Sequence, residues 1–240
     1  MKVTNLITKK VLRGIDDINR RCHAMHLPPP PVQFITAEVR DADGTVVEVL
    51  TSKSNSWVRN SYNILAQLFL PASGRAGGGA YGAGTLTVSD TTGAARPTGS
   101  EENLFYVPTG AMANLINGAA TSGLGICVGT SSTAESFEHT NLQAIIASGS
   151  AAGNLLYGIS NTPVFSYNAG TKKATSVLSR VFTNSSGSSI TVAEIGWIIK
   201  VNVGADRLVL ISRDVLATPV TVNNGQALTI TYTSEITYPA

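Results

Sequence analysis

The sequence predicts a mainly β protein: a β-sandwich or jelly-roll-like body with one amphipathic helix and an extended N-terminal arm. Three observations point there. Short apolar-alternating segments recur between Gly, Asn and Asp turn signals. Glycine supplies 23 of the 240 residues, and charged side chains only 13% of them, about half the usual share. Convincing helical periodicity is confined to two segments in the first third of the chain.

The first segment, residues 9–22, places Leu12, Ile15 and Ile18 at helical spacing with charges on the other side. Four prolines, Pro28 to Pro31, then stop the helix; lacking amide donors, they favour a stiff polyproline spacer. Residues 1–26 hold six Lys and Arg against Asp16 and Asp17, a charge of +4, which leaves −2 on the rest of a +2 chain. Residues 1–31 therefore read as a basic arm, and 32–240 as the β-rich body, with a subdivision near residue 122 as an alternative. An arm on such a spacer is suited to reach beyond its own domain.

Within the body, residues 33–50 read as a hairpin turning at Asp41-Ala42-Asp43-Gly44, where Asp43-Gly44 calls for positive φ. Ser56 to Leu70 is the best helical stretch, with Trp57, Val58, Tyr62, Leu65, Leu68 and Phe69 on one face, Ser54, Asn55 or Ser56 as cap and Pro71 as stop. Residues 72–84 hold six glycines but no GxxxxGK[ST] pattern, so a loop is expected rather than a phosphate cradle. Up to residue 120 only Leu86–Val88 and Leu104–Val107 look strand-like.

Regular strands follow: Gly123–Gly129, Leu155–Ile159, Ser176–Thr183, Ile190–Val201 and Leu208–Arg213. The periodicity of Leu142, Ile145 and Ile146 predicts a helical turn between the first two. Ala193, Ile195, Trp197 and Ile199 should share a face, and Glu194 should pair with Arg180 across adjacent strands. Val220-Thr221-Val222, Asn223-Asn224-Gly225 and the alternation of Leu228, Ile230 and Tyr232 with threonines predict a last hairpin.

Several function classes find little to work with. Cys22 and Cys127 stand 105 positions apart, so no local CxxC pair and no disulfide framework is expected. The first 14 residues lack the continuous apolar stretch of a secretory signal, and no segment has the apolar length of a membrane span. A soluble protein made in a cytoplasm is the expectation. There are three histidines, and Cys22 with His26 is the only metal-like pair, without a second pair at zinc spacing. No GxSxG, HExxH or EF-hand pattern occurs. Glu135, Glu138 and His139 could serve a hydrolase, yet acidic residues in a polar loop usually do nothing catalytic. The reading is a non-enzyme with no cofactor, no metal and no nucleic-acid partner. Candidate partner-binding residues are Lys9, Lys10, Arg13, Arg20 and Arg21 on the arm, with Trp57 and Arg59 on the second helix, since aromatics and arginine dominate interface hot spots.

Ser52 to Asn60 (SKSNSWVRN), following the DxDG hairpin, resembles the N-terminal portion of structural proteins of tailed bacteriophages. Gly125–Thr130 (GICVGT), Phe182–Trp197 (FTNSSGSSITVAEIGW), Leu210–Leu216 (LISRDVL) and Val220–Thr233 (VTVNNGQALTITYT) extend the resemblance over roughly residues 33–235; residues 72–120 carry none of it. The resemblance implies a virion component of the capsid, neck or tail, assembled in the host cytoplasm. Its partners would be copies of itself and other virion proteins. A weakly charged surface suits close packing of copies. The alternative is a module binding a host-surface glycan or receptor.

Overall fold

The computed structural model describes residues 1–25, 30–54, 57–66, 87–97, 122–161, 163–202 and 206–238. The glycine-rich segment 72–84, the pieces Leu104–Val107 and the expected cap residues Asn55 and Ser56 lie outside them, as does His26.

The chain is mainly β, with two helices among the described residues. In order it runs β1 (Lys2–Asn5), α1 (Lys9–Ala24), β2 (Val32–Arg40), β3 (Val46–Lys53), α2 (Arg59–Ala66), β4 (Thr87–Ser89), β5 (Ala95–Pro97), β6 (Gly125–Gly129), β7 (Leu156–Tyr157), β8 (Val164–Asn168), β9 (Lys173–Thr183), β10 (Ile190–Asn202), β11 (Asp206–Val222) and β12 (Ala227–Thr237). The larger sheet has the order β1-β3-β2-β12-β9-β7, with β8 also on β9. The smaller has the order β11-β10-β6, and β4 pairs with β5 alone.

Alternation decides which faces meet. Ile35, Ala37 and Val39 of β2, Leu178 and Phe182 of β9, and Leu228, Ile230 and Tyr232 of β12 are buried in one cluster. Ile126, Val128, Ile195, Ile198, Leu210, Val220 and Val222 of the smaller sheet belong to the same cluster. Residues on both sides of position 122 thus share one core. The smaller sheet is also covered on its other face, where Val201 and Val209 pack with Ile64 of α2 and Val88 of β4. Covered twice, it reads as nearly continuous apolar sequence rather than clean alternation.

The first hairpin forms as expected. Gly44 has φ +86, and the Asp43 carboxylate accepts the Thr45 amide at 2.9 Å, which holds Asp43 below the usual carboxylate range. Beyond Gly225, at φ +86, the expectation fails in an instructive way. The turn is there, but β11 pairs with β10 and β12 with β2 and β9, so the chain changes sheets rather than folding back. The turn after β9 does the same, which places β9 and β10 in different sheets. Asn184, fully buried, ties the two crossings together: its Nδ2 donates to the carbonyls of Val222 (2.7 Å) and Ser188 (2.8 Å), and its own amide and carbonyl bond Gln226 and Gly225.

Other corrections have similar causes. Residues 141–147 form no helical turn: the Ile146 amide bonds the Val128 carbonyl and Thr130 bonds Ala144, an extended path beside β6 that buries Leu142 and Ile146. The face expected for Ala193, Ile195, Trp197 and Ile199 is broken by bulges between Val192 and Glu194 and between Trp197 and Ile198, each of which reverses the alternation. Of the face expected for α2, Val58 just before the helix is buried whereas Tyr62 is exposed, and within the helix Asn60, Ser61 and Ile64 are buried. Ser54, a suggested cap, instead donates to Asp214 at 2.9 Å.

The arm is partly incorporated in the body. β1 pairs parallel with β3, Val3 opposite Val49, at the sheet's outer edge. Thr8 stands just before α1, and its Oγ1 accepts the Val11 amide at 3.3 Å as an N-cap.

Candidate interaction site

The space between α1 and the sandwich brings together two of the predicted residues, Lys10 and Trp57. Two clefts open there. One, of about 470 Å3, is lined by Leu6, Lys10, Ile15 and Ile18 of the arm side and by Glu135 and Asp214 of the body, among others. The second, of about 200 Å3, lies between Ile15, Ile18 and Asn19 and a wall that includes Gln33, Trp57 and Tyr62.

The helix explains the shape of the clefts. Val11, Ile15 and Ile18 line them, with Ile18 still 45% exposed, while Leu12, 46% exposed, lines neither. Lys9, Lys10, Arg13, Arg20 and Arg21 are all exposed. Asp17 bonds Arg20 (3.0 Å) and Arg21 (2.9 Å) at i+3 and i+4, solvent-facing pairs of small energetic weight. Of the five arm cations, Lys10 lines the larger cleft. Trp57 is half-buried and lines the smaller one, with a bridge to Ser212 of β11. Arg59 is directed elsewhere: exposed, it pairs with Glu138, beside the ring contact of Tyr62 with Phe137 at 5.5 Å.

Beneath the clefts lies a polar layer between the sheets. Asp214, buried, accepts from Ser54 Oγ at 2.9 Å and lies 3.4 Å from the Tyr232 hydroxyl. Burial, reinforced by Asp214, raises the Tyr232 pKa well above its ordinary value. Gln33 is buried as well; its Nε2 donates to Ser234 while its Oε1 finds no partner among the described residues. Trp197 stacks on Tyr232 at 5.9 Å.

The expected Glu194–Arg180 pair does not form, because these residues stand in different sheets. Glu194 and Arg213 pair instead, both side chains fully buried, Nε to Oε2 at 2.7 Å. Glu194 also accepts the amides of Ala144 (2.7 Å) and Gln143 (3.1 Å), and Arg213 donates to the Thr133 carbonyl at 3.0 Å. The pair fastens loop 131–147 onto the smaller sheet. Arg180 donates to the carbonyls of Gly158, Leu124 and Ile126, with its guanidinium 4.7 Å from the centre of the Tyr157 ring, a cation–π geometry.

The trio Glu135, Glu138 and His139 is divided among separate duties. Glu135 accepts the Val215 amide at 2.7 Å and Glu138 pairs with Arg59. His139 Nδ1 accepts the Ser136 amide at 3.2 Å and lies 3.2 Å from Arg213 Nη1. Burial first, then the Arg213 charge, lowers the His139 pKa. Among the described residues no group of three His, Cys, Asp or Glu is placed to hold a metal ion, and no helix there is long and apolar enough to cross a membrane. Cys127 is buried, its thiol pushed up to about 11 by burial, and Cys22 is half-buried; both are free.

No family model, curated protein or solved structure matches the chain. What the site does must therefore be argued from its own chemistry. Sequence reasoning missed Asp214, Gln33 and the Glu194–Arg213 pair. A signal for two of them existed: Ser212-Arg213-Asp214 interrupts an otherwise apolar run from Leu208 to Leu216, and charges inside such a run need buried partners.

Proposed function

We propose that this chain is a structural component of a tailed-phage virion that associates with copies of itself and docks its N-terminal arm on a neighbouring virion protein. The observation that carries the proposal is α1. This helix carries five Lys and Arg beside an apolar stripe, and it is held at the body by β1 while Ile18 stays half in solvent at an open cleft and Leu12 stays exposed beyond it. A helix that leaves its apolar stripe half covered has binding free energy still to be gained. The low charge of the chain supports close packing of copies.

Deletion of residues 1–31 tests the arm. Incorporation into particles should fall at least tenfold, and full occupancy by the truncated protein would end the docking proposal. Charge reversal at Lys9, Lys10 and Arg13, which leaves β1 in place, should reproduce much of the loss.

One observation favours a second reading, recognition of a host-surface glycan. The smaller cleft sets Trp57 and Tyr62 beside Gln33, whose buried Oε1 lacks a partner among the described residues, an aromatic-and-amide surface of the kind small polar ligands use. Binding of the full chain to a glycan array, abolished by Trp57→Ala, would support it.

A further inference from the structure

The larger sheet ends in two different edges. At one, β1 is a short strand with Lys2 paired to Glu48, a charged edge of the kind that discourages further pairing. At the other, β8 pairs with β9 from Val164 opposite Val177 to Asn168 opposite Lys173. Among the described residues no strand pairs with the outer side of β8. All five of its residues are exposed, including Phe165 at 69% and Tyr167 at 54%.

This edge carries few of the usual protections. Val-Phe-Ser-Tyr-Asn has no charge and no bulge, Pro163 stands just before it, and residues 140–171 contain no Asp, Glu, Lys or Arg at all. The register also places Phe165 opposite Ser176 and Tyr167 opposite Ala174, on the face that further along buries Leu178 and Tyr232. Ile236 and Tyr238 extend that face, with Tyr238 5.7 Å from Tyr167 ring to ring. The core side of the sheet thus runs on past its cover into solvent, next to an open strand edge.

We infer that the outer edge of β8 pairs with β8 of a second copy of this chain, continuing the sheet between subunits and setting Phe165 and Tyr167 beside their counterparts. A second copy is the occupant because an uncharged strand can meet itself antiparallel without like charges face to face. The arrangement is also isologous, so it closes as a two-fold dimer. Aromatic side chains bury up to about 150–250 Å2. At the exposures seen here, Val164, Phe165 and Tyr167 offer on the order of 300 Å2 per copy, below the standard size of a specific interface. Self-association should therefore be concentration-dependent rather than permanent. The inference deepens the proposed self-association by naming its surface, and rests on that reading only for its use in the particle.

A pairing centred on Ser166 sets the two Ser166 side chains opposite each other, at Cβ separations of about 4.5–5.5 Å, within reach of a disulfide after small adjustment. The test uses the full chain with Cys22→Ser and Ser166→Cys. Under mild oxidation it should form a cross-linked dimer at least tenfold faster than a Cys22→Ser, Val3→Cys control with its cysteine on the opposite edge. Without oxidation, sedimentation of the unaltered chain should show a dimer whose dissociation constant rises at least tenfold in Phe165→Lys/Tyr167→Lys. Those residues are exposed, so an unchanged melting temperature confirms that the fold survives.

Cross-linking no faster than the control overturns the inference. So does a dimer indifferent to the lysine substitutions, although self-association itself would then stand on another surface. A chain monomeric at every concentration also overturns it, while leaving particle incorporation, the readout for the virion proposal, to be decided separately. If the lysine variant is lost from particles although the free chain is always monomeric, the partner of β8 is a different virion protein and the second copy is excluded.

Discussion

The crossing of the two sheets and the rim of the molecule use polar and apolar groups in opposite ways. At the crossing, Glu194, Arg213, Arg180 and Asn184 are buried, and hydrogen bonds fix each of them to backbone groups of neighbouring segments. At the rim, Leu12, Ile18, Phe165 and Tyr167 stand in water. The usual preference of each class is reversed. Buried charge in this protein joins segments that the chain order keeps apart, and exposed apolar surface marks where the fold is left unfinished. The comparison separates positions that set stability from positions available for contact.

The sharpest way to break that division is at its centre. Glu194→Gln removes the charge facing Arg213 while keeping the shape, and leaves a guanidinium buried without its carboxylate. A loss of about 3–5 kcal/mol is expected, read as the shift in denaturant midpoint. A loss below about 1 kcal/mol would mean that water or another group takes over, and that the pair does not hold loop 131–147.

Next in size is Gly196→Ala. A Cβ there would overlap Leu142 Cδ1 and come within 3.2 Å of Leu210 Cδ1. Overpacking of this kind costs about 1–3 kcal/mol. Because Leu142 belongs to the loop that Glu194 fastens, this substitution and Glu194→Gln should be non-additive when combined, which a double-mutant cycle measures.

His139 should give a smaller, pH-dependent effect. Its folded pKa is lowered from 6.5, by burial and by Arg213, so the unfolded chain takes up the proton first as pH falls. The contribution is fully present above the unfolded value and is lost as pH drops through it toward the folded one. Melting temperatures between pH 8 and pH 5 should decline more in the unaltered protein than in His139→Gln. Equal slopes would detach His139 from Arg213.

The smallest stability effect belongs to the rim. Leu12→Ser with Ile18→Ser should change stability by no more than about 0.5 kcal/mol, yet reduce incorporation into particles severalfold. A large destabilisation would show that the arm is part of the core, and would dissolve the contrast between the two regions.

The elements were legible in the sequence more clearly than their partners. The alternation of Leu228, Ile230 and Tyr232 is local, as is the positive φ demanded at Gly44 and Gly225, and both were readable. Whether the strand after Gly225 returns to its predecessor or crosses to the other sheet depends on Asn184, some 40 positions away, and on no local pattern. The mistaken Glu194–Arg180 pair follows from that ambiguity. Residues 141–147 misled for another reason: Leu142, Ile145 and Ile146 fit a helical period, but the amides of Gln143 and Ala144 bond the Glu194 carboxylate instead of a helical turn. At the candidate site, Trp57 and Lys10 were readable as types of residue suited to contact. Gln33 and Asp214 were not, since their positions beside the clefts come from the stacking of the sheets. β8 went unread because its exposed aromatics lack the apolar-polar contrast of a half-buried strand.

The central place of β12 sets a timetable for the molecule. Its Ala227 lies opposite Arg40 on one side and Thr183 on the other, so hairpin β2–β3 waits through some 185 residues of synthesis, on the order of 10–40 s, before its sheet can close. A hairpin alone is marginal in water, and for that interval the nascent chain presents Ile35, Ala37 and Val39 along an unpaired edge. The larger sheet is therefore assembled almost at once, after β12 arrives, and the chain's greatest exposure to misassociation falls before that moment.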